Sequence, residues 1–269
     1  MRQWRLIDDS PAVGASNMAV DEAILQSVTE RRAPPTLRLY AWNPPCLSLG
    51  YGQKTADVDY ARAASLGWDV VRRPTGGRAI LHTDELTYSL ALPADDDLSV
   101  GTVIDSYRRI SAALVAGLSY LGVQPQADRR AERTVVVGAV CFDTTSHYEI
   151  TVAGRKLVGS AQLRRQGGIL QHGSIPLTGD LARICNALAY PDESTRDAAK
   201  IALRARAITL SDALSTTITY ENVARAIIQG FAETFAIDFT PEMLTPAEQS
   251  RAAHLAAERY TNPTWTHHR

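Results

Sequence analysis

Cys141, Lys156 and the small residues Gly159, Ser160 and Ala161 follow one another closely, and together they could carry acyl transfer. Cys141 stands in Gly138-Ala139-Val140-Cys141-Phe142-Asp143, an irregular stretch rather than a regular apolar face. A thiolate is the best nucleophile a side chain offers at neutral pH. A free thiol, with a pKa of about 8.5, is mostly protonated there and needs a cation or base beside it. An inert, buried cysteine fits the same spacing. Lys156 follows Ala153-Gly154 and precedes Leu157-Val158. Held over a site, it would stabilise a thiolate; stripped of water, it could act as a base. A solvated lysine at the start of a strand is the plain alternative. Gly159, Ser160 and Ala161 let backbone N–H groups approach an acyl carbonyl, as an oxyanion site requires.

A second constellation is Arg72-Arg73-Pro74-Thr75-Gly76-Gly77-Arg78-Ala79-Ile80-Leu81-His82. Paired arginines suit a carboxylate or phosphate. Gly76 and Gly77 allow a positive φ or a close backbone approach. A basic hairpin with a glycine turn is the simpler reading. His82 and His172 both follow apolar strand residues, and either can be a hydrogen-bonded structural histidine. Neither has metal-ligand spacing with another His or Cys, so no metal site is expected. Cys46 in a strand pattern and Cys185 on a helix read as structural, and His147 as exposed.

These residues need elements to hold them. Asn17 to Val28 reads as a helix, capped by Ser16 or Asn17, with Asp21 and Glu22 in its first turn. Thr36–Tyr40 and Cys46–Tyr51 alternate like half-buried strands around an Asn43-Pro44-Pro45 turn. Asp57 to Leu66 is a helix closed by Gly67. Leu86–Leu92 is a strand, and Asp95-Asp96-Asp97 a solvated loop. A long helix opens at Ser99 or Thr102, with Val103, Tyr107, Ile110, Leu114, Leu118 and Leu121 on its apolar side and Gly122 at its end. Tyr148–Val152 and Arg155–Gln162 form a hairpin around Ala153-Gly154, and Ile169–Leu177 is a third strand. Beyond Gly179 helical patterns take over, clearest at Asn222–Phe235 and Pro246–Tyr260. The tail 261–269, polar apart from Trp265, should pack loosely. The expectation is an α+β chain: a mixed sheet with flanking helices in residues 1–205, and a small helical segment, 206–269, packed on it.

Composition narrows the function. The formal net charge of −1 gives no reason to expect a nucleic-acid surface or a polybasic membrane patch. Three cysteines without a C-x-x-C pair argue against a disulfide framework and a structural zinc site. No apolar run reaches membrane-span length, and Met1-Arg2-Gln3-Trp4-Arg5 is not signal-like, so a cytoplasmic protein is expected. Phosphate-loop, dinucleotide and nucleophile-elbow motifs are absent.

Four segments together resemble the lipoate–protein ligase and octanoyltransferase family, which has a biotin-ligase-like fold. They are Trp4-Arg5-Leu6-Ile7-Asp8 with Asn17–Glu22, the Arg72–His82 stretch, Gly154–Gln162, and Ile169-Leu170-Gln171-His172-Gly173-Ser174. Cys141-Phe142-Asp143 resembles the segment that holds the acyl-accepting cysteine of the LipM-type octanoyltransferases. Its distance from Lys156 looks like theirs too. Ligases of the family commonly carry a third small residue where this chain has Arg78. That bulk would crowd a nucleotide phosphate, although an arginine could also bind one.

The resemblance implies an octanoyltransferase whose donor is acyl carrier protein and whose acceptor is a lipoyl-domain protein such as the glycine cleavage H protein. Cys141 and Lys156 would be catalytic. Arg72, Gly76, Gly77, His82, Gly159, Ser160, Ala161 and His172 would bind the acyl group or support its wall. No cofactor is implied, because exchange between thioesters is nearly neutral and thioester to amide runs downhill. ATP and magnesium enter only if the chain is instead a lipoate–protein ligase. The same segments would also suit an amidotransferase between lipoyl domains, or a non-catalytic acyl- or partner-binding protein on this fold.

Overall fold

A computed structural model of the chain describes residues 1–127, 149–165 and 167–268. Its strands are β1 (Arg2–Asp8), β2 (Thr36–Tyr40), β3 (Cys46–Leu49), β4 (Asp69–Arg72), β5 (Ile80–His82), β6 (Glu85–Pro93), β7 (Gln126–Ala127), β8 (Ile150–Val152), β9 (Arg155–Arg165), β10 (Gly168–Pro176) and β11 (Ile237–Pro241). The helices are α1 (Gly14–Thr29), α2 (Tyr60–Ser65), α3 (Val103–Tyr120), α4 (Glu193–Arg206), α5 (Leu210–Leu214), α6 (Tyr220–Phe235), α7 (Pro246–Leu255) and α8 (Pro263–Thr266). Among the described residues, eight strands form a mixed sheet in the order β11-β1-β2-β6-β10-β9-β8-β7, and three form a small sheet in the order β4-β3-β5. The expected α+β architecture is the one observed. Among the described residues no helix is long and apolar enough to cross a membrane.

Helices cover both faces of the large sheet. On one face α3 and α6 pack on Leu86, Tyr88, Leu90 and Leu92 of β6. Gly117 and Gly230 let those two helices touch backbone to backbone. A Cβ on Gly117 would lie 2.7 Å from the Ala226 carbonyl oxygen, and one on Gly230 2.4 Å from that of Ala113. Thr102 and Asp105 form a reciprocal capping box at the start of α3. On the other face α1 packs on Ala91 and Leu170.

The expected strands at Thr36–Tyr40 and Cys46–Tyr51 exist, but every residue of β2 and β3 is buried. Their polar alternates meet protein instead of water. Arg38, Thr36 and Ser48 are each hydrogen-bonded inside. Helix α1 starts earlier than its apolar spacing suggests, at Gly14, without a side-chain cap. Asp21 and Glu22 therefore lie inside the helix and are buried, rather than complementing its dipole. The basic hairpin is not formed either: β4 runs parallel to β3 and β5 antiparallel to it, so the arginine–glycine loop joins two strands that flank a third.

Residues 206–269 add a strand as well as helices. β11 pairs parallel with β1 at the edge of the large sheet. Arg5 on β1 makes a two-pronged bond to Glu248 of α7, at 2.6 and 2.8 Å, and both side chains are buried. The tail is docked rather than loose. Trp265 donates to the Arg72 carbonyl oxygen at 2.9 Å, and Arg72 Nε donates to that of Thr266 at 2.9 Å.

Candidate active site

Two cavities adjoin at Ala161, which lines both. The first lies where the α1 side of the large sheet faces the small sheet. It is narrow, with about 290 Å³ of empty space. Met18, Tyr40, Trp42, Ile80 and Ala161 give it apolar surface, beside Gly159 and Gly173. The second is a wide, open slot of about 780 Å³. Lys156, Glu149, Ser160 and Gln162 line it, facing Gly76-Gly77-Arg78 and, from α3, Val103 and Tyr107. The first turn of the apolar row of α3 thus serves the slot, and Val103 is 47% exposed.

The polar side chains of the narrow pocket are bonded to one another. His82 Nδ1 donates to Glu85 Oε1 at 2.7 Å, its Nε2 meets Ser48 Oγ at 2.8 Å, and its ring stacks on Trp42 at 4.0 Å. Glu85 also accepts from the Thr87 and Ser174 hydroxyls, each at 2.5 Å, and Trp42 donates to Thr87 at 2.8 Å. His172 is fixed on its two sides by Asp21 at 3.2 Å and Thr75 at 2.7 Å. Burial pushes the His172 imidazole below its ordinary pKa, although the Asp21 hydrogen bond and charge pull the other way. Burial would raise the Asp21 carboxyl, but the His172 hydrogen bond and Arg38 outweigh it and hold the group low. The pair is therefore a carboxylate beside a neutral ring. Since a carboxylate only accepts, the ring proton sits on Nδ1, and Nε2 accepts from the Thr75 hydroxyl. A pocket built this way offers mainly hydrocarbon to a ligand, because most of its polar side-chain atoms are already hydrogen-bonded.

The loop between β4 and β5 is held from within. Arg73 donates to the carbonyl oxygens of Ser48, Gly76 and Arg78 at 2.9, 2.8 and 2.7 Å. Gly77 has φ +93, and a Cβ on Gly50 would lie 1.9 Å from the Gly77 carbonyl oxygen. That contact requires Gly50 to be glycine, and the left-handed φ favours glycine at 77. Arg72 lines neither cavity. Its guanidinium donates to the Gly50, Gln53 and Thr266 carbonyl oxygens at 2.8, 2.7 and 2.9 Å. Adjacent residues on a strand point to opposite sides, so Arg73 takes the place beside the pocket and Arg72 anchors the C-terminal tail.

On the slot side, the turn between β8 and β9 uses Ala153 and Gly154 with φ 49 and 74. Positive φ at both positions fits the tight turn that brings Lys156 beside β8. Lys156 Nζ lies 2.5 Å from Glu149 Oε1, and the two side chains are 6% and 4% exposed. Ser160 is positioned by the Tyr88 hydroxyl at 2.8 Å, which also accepts from Gln171 at 3.0 Å. Burial pushes the Tyr88 phenol up to about 12.

Of the residues singled out in the sequence, His82, His172, Gly159 and Ala161 line the narrow pocket. Lys156, Gly76, Gly77, Ser160 and again Ala161 line the slot, with Arg78. Cys141 and His147 lie outside the described residues. Cys46 and Cys185 are buried, and burial raises the Cys46 thiol far above its ordinary value, as suits a structural residue. Glu149, Glu85 and Asp21 are the additions that sequence reading missed, and Arg73, expected as half of an anion-binding pair, instead holds backbone carbonyls beside the pocket. Alternation marks Glu149 as one more strand residue. Its pairing with Lys156 depends on the hairpin register.

A family model for the lipoyl protein ligase A/B catalytic domain matches residues 14–232. The octanoyltransferase LipM of Kyrpidia tusciae is 40% identical over 99% of this chain and 99% of its own length. That of Symbiobacterium thermophilum is 42% identical over 97% of each. Among solved structures, a bipartite lipoate protein ligase from Thermoplasma acidophilum, studied with its E2 lipoyl domain, superposes with a TM-score of 0.85 at 26% identity, covering 99% of this chain and 97% of that one. The chain belongs to the lipoyl protein ligase A/B family, among relatives named as LipM octanoyltransferases.

Proposed function

We propose that the chain is a cytoplasmic octanoyltransferase of lipoate biosynthesis. It takes octanoate from acyl carrier protein and delivers it to the lipoyl-domain lysine of a protein such as the glycine cleavage H protein. The observation that carries this reading is full-length identity of about 40% to LipM octanoyltransferases. The pocket supports it, since a narrow hydrocarbon-lined cavity beside a slot with a lysine suits an acyl chain and its reacting carbonyl.

Cys141 thiolate attacks the thioester carbonyl of the donor. A new C–S bond forms, and the carrier's sulfur leaves and takes up a proton. The amine of the acceptor lysine then attacks, the enzyme C–S bond breaks and an amide remains. Lys156 supplies positive charge that favours the Cys141 thiolate. Of Gly159, Ser160 and Ala161, the N–H that β9 does not spend on its ladder with β10 serves the developing oxyanion. Splitting the transfer in two lets thioester free energy drive it without ATP.

The test is intact mass after incubation with octanoyl-acyl carrier protein. Wild type gains one octanoyl group and Cys141→Ser gains none. If wild type gains none and modifies an apo-lipoyl domain only with ATP and free acid, it is a ligase.

A further inference from the structure

Glu149 precedes β8 and is buried, yet it belongs to the lining of the open slot. Among the described residues of that lining it is the one acid. Lys156 faces it from β9, Arg78 from the loop before β5, and Tyr107 from α3. An acceptor lysine enters this slot as an ammonium ion, with an ordinary pKa of about 10.4. Lys156 and Arg78 repel it. A carboxylate attracts it, and with two oxygens it can hold a second cation beside Lys156.

We propose that Glu149 receives the acceptor amine and removes its proton; this rests on the transfer reaction proposed above. The ammonium gives one proton to the Glu149 carboxylate and becomes a nucleophile. Its lone pair forms the C–N bond, and the C–S bond of the thioester breaks. The nitrogen's second proton goes to the departing thiolate, and Glu149 returns its own to solvent through the slot. Lys156 then serves the acyl group and Glu149 serves the amine, so the buried pair divides the two halves of the reaction.

The experiment compares two acceptors of octanoyl from octanoyl-acyl carrier protein, above the uncatalysed rate. One is the lipoyl-domain lysine. The other is hydroxylamine, which is uncharged at neutral pH and needs no base. Glu149→Gln should slow transfer to lysine about 100-fold at pH 7, the range of general-base catalysis. Its rate should then climb about tenfold per pH unit as free amine appears. Its transfer to hydroxylamine should fall much less than its transfer to lysine, and that turnover also shows that the variant is folded. Glu149→Asp keeps a carboxylate and should keep the wild-type pH profile. The proposal is overturned if hydroxylamine transfer falls as far as lysine transfer, because Glu149 would then only hold Lys156. It is equally overturned if Glu149→Gln keeps the wild-type profile, or if Glu149→Asp behaves like Glu149→Gln. A wild type that acylates neither nucleophile overturns the transfer reading and this proposal with it.

Discussion

The narrow pocket and the open slot share Ala161 but are built on opposite plans. The pocket is rich in polar side chains, with two histidines, an arginine and four hydroxyl residues in its wall. Those groups point into networks centred on Glu85, Asp21 and the backbone, so the cavity discriminates by shape and hydrocarbon contact. The slot has fewer polar groups, but its ion pair lines an open cleft with about 780 Å³ of empty space. Polarity by itself does not mark chemistry; what matters is whether a polar group is already committed to a partner. The pocket wall is therefore expected to fail through stability, and the slot through rate.

The largest effect should come from Asp21→Ala. It removes the carboxylate that Arg38, 2% exposed, meets at 2.8 Å, and it strands His172 and the Tyr40 hydroxyl as well. Breaking such a buried pair costs about 3–5 kcal/mol. The urea midpoint should drop at constant slope. A loss below about 1 kcal/mol would mean that the wall is not held by this network. Lys156→Met also breaks a buried pair, but its distinguishing loss is in rate: kcat/KM for octanoyl transfer should drop about 30-fold at pH 7, because the Cys141 thiol returns toward its free pKa of about 8.5. If it retained a tenth of wild-type activity, the division between wall and slot would be wrong.

Acyl chain length gives a smaller and sharper test of the pocket. Each methylene buried contributes about 0.8 kcal/mol, so a hexanoyl donor should lose about 1.6 kcal/mol, or about 15-fold in kcat/KM, relative to octanoyl. The comparison of donors on one carrier measures it. Equal rates would place the chain outside the narrow cavity.

The fold was largely legible because it rests on local signals. The Thr102 cap, the Ala153-Gly154 turn and the apolar run of β6 that stops at Pro93 each announce themselves within a few residues. The site was half legible. Lys156 and Ser160 lie four apart on one strand, so period-two alternation sets them on one face, whereas Ala161 falls on the other and reaches the narrow pocket. Glu85 and Asp21 were hidden because a carboxylate on a strand or helix reads as a solvated face until a partner distant in the chain neutralises it. Arg72 and Arg73 show the same limit. Their identity announces charge, but only the register of β4 against β3 decides which guanidinium faces the pocket and which holds the tail. The tail itself looked loose because its anchors, the Trp265 N–H and the Thr266 carbonyl, bond to Arg72, 193 and 194 residues away.

The smallest expected effect decides what kind of wall His172 makes. Its folded pKa lies below the ordinary 6.5, burial being the main cause. In the window between those two values the unfolded chain binds more protons than the folded one, so stability rises with pH. The neutral ring is therefore tolerated without penalty above about pH 6.5, and stability is lost as pH falls below it. Asp21 acts in a separate window, since its lowered pKa gives stability above 3.8 that disappears only as pH falls further. His172→Gln cannot take up the proton. Measured by urea unfolding, the stability advantage of wild type over His172→Gln should narrow between about pH 7 and pH 5. If it widened instead, the Asp21 charge would outweigh burial and the histidine would be cationic on binding its proton. The pocket would then carry a buried ion pair like that of the slot, and the contrast between the two cavities would rest on access to solvent alone.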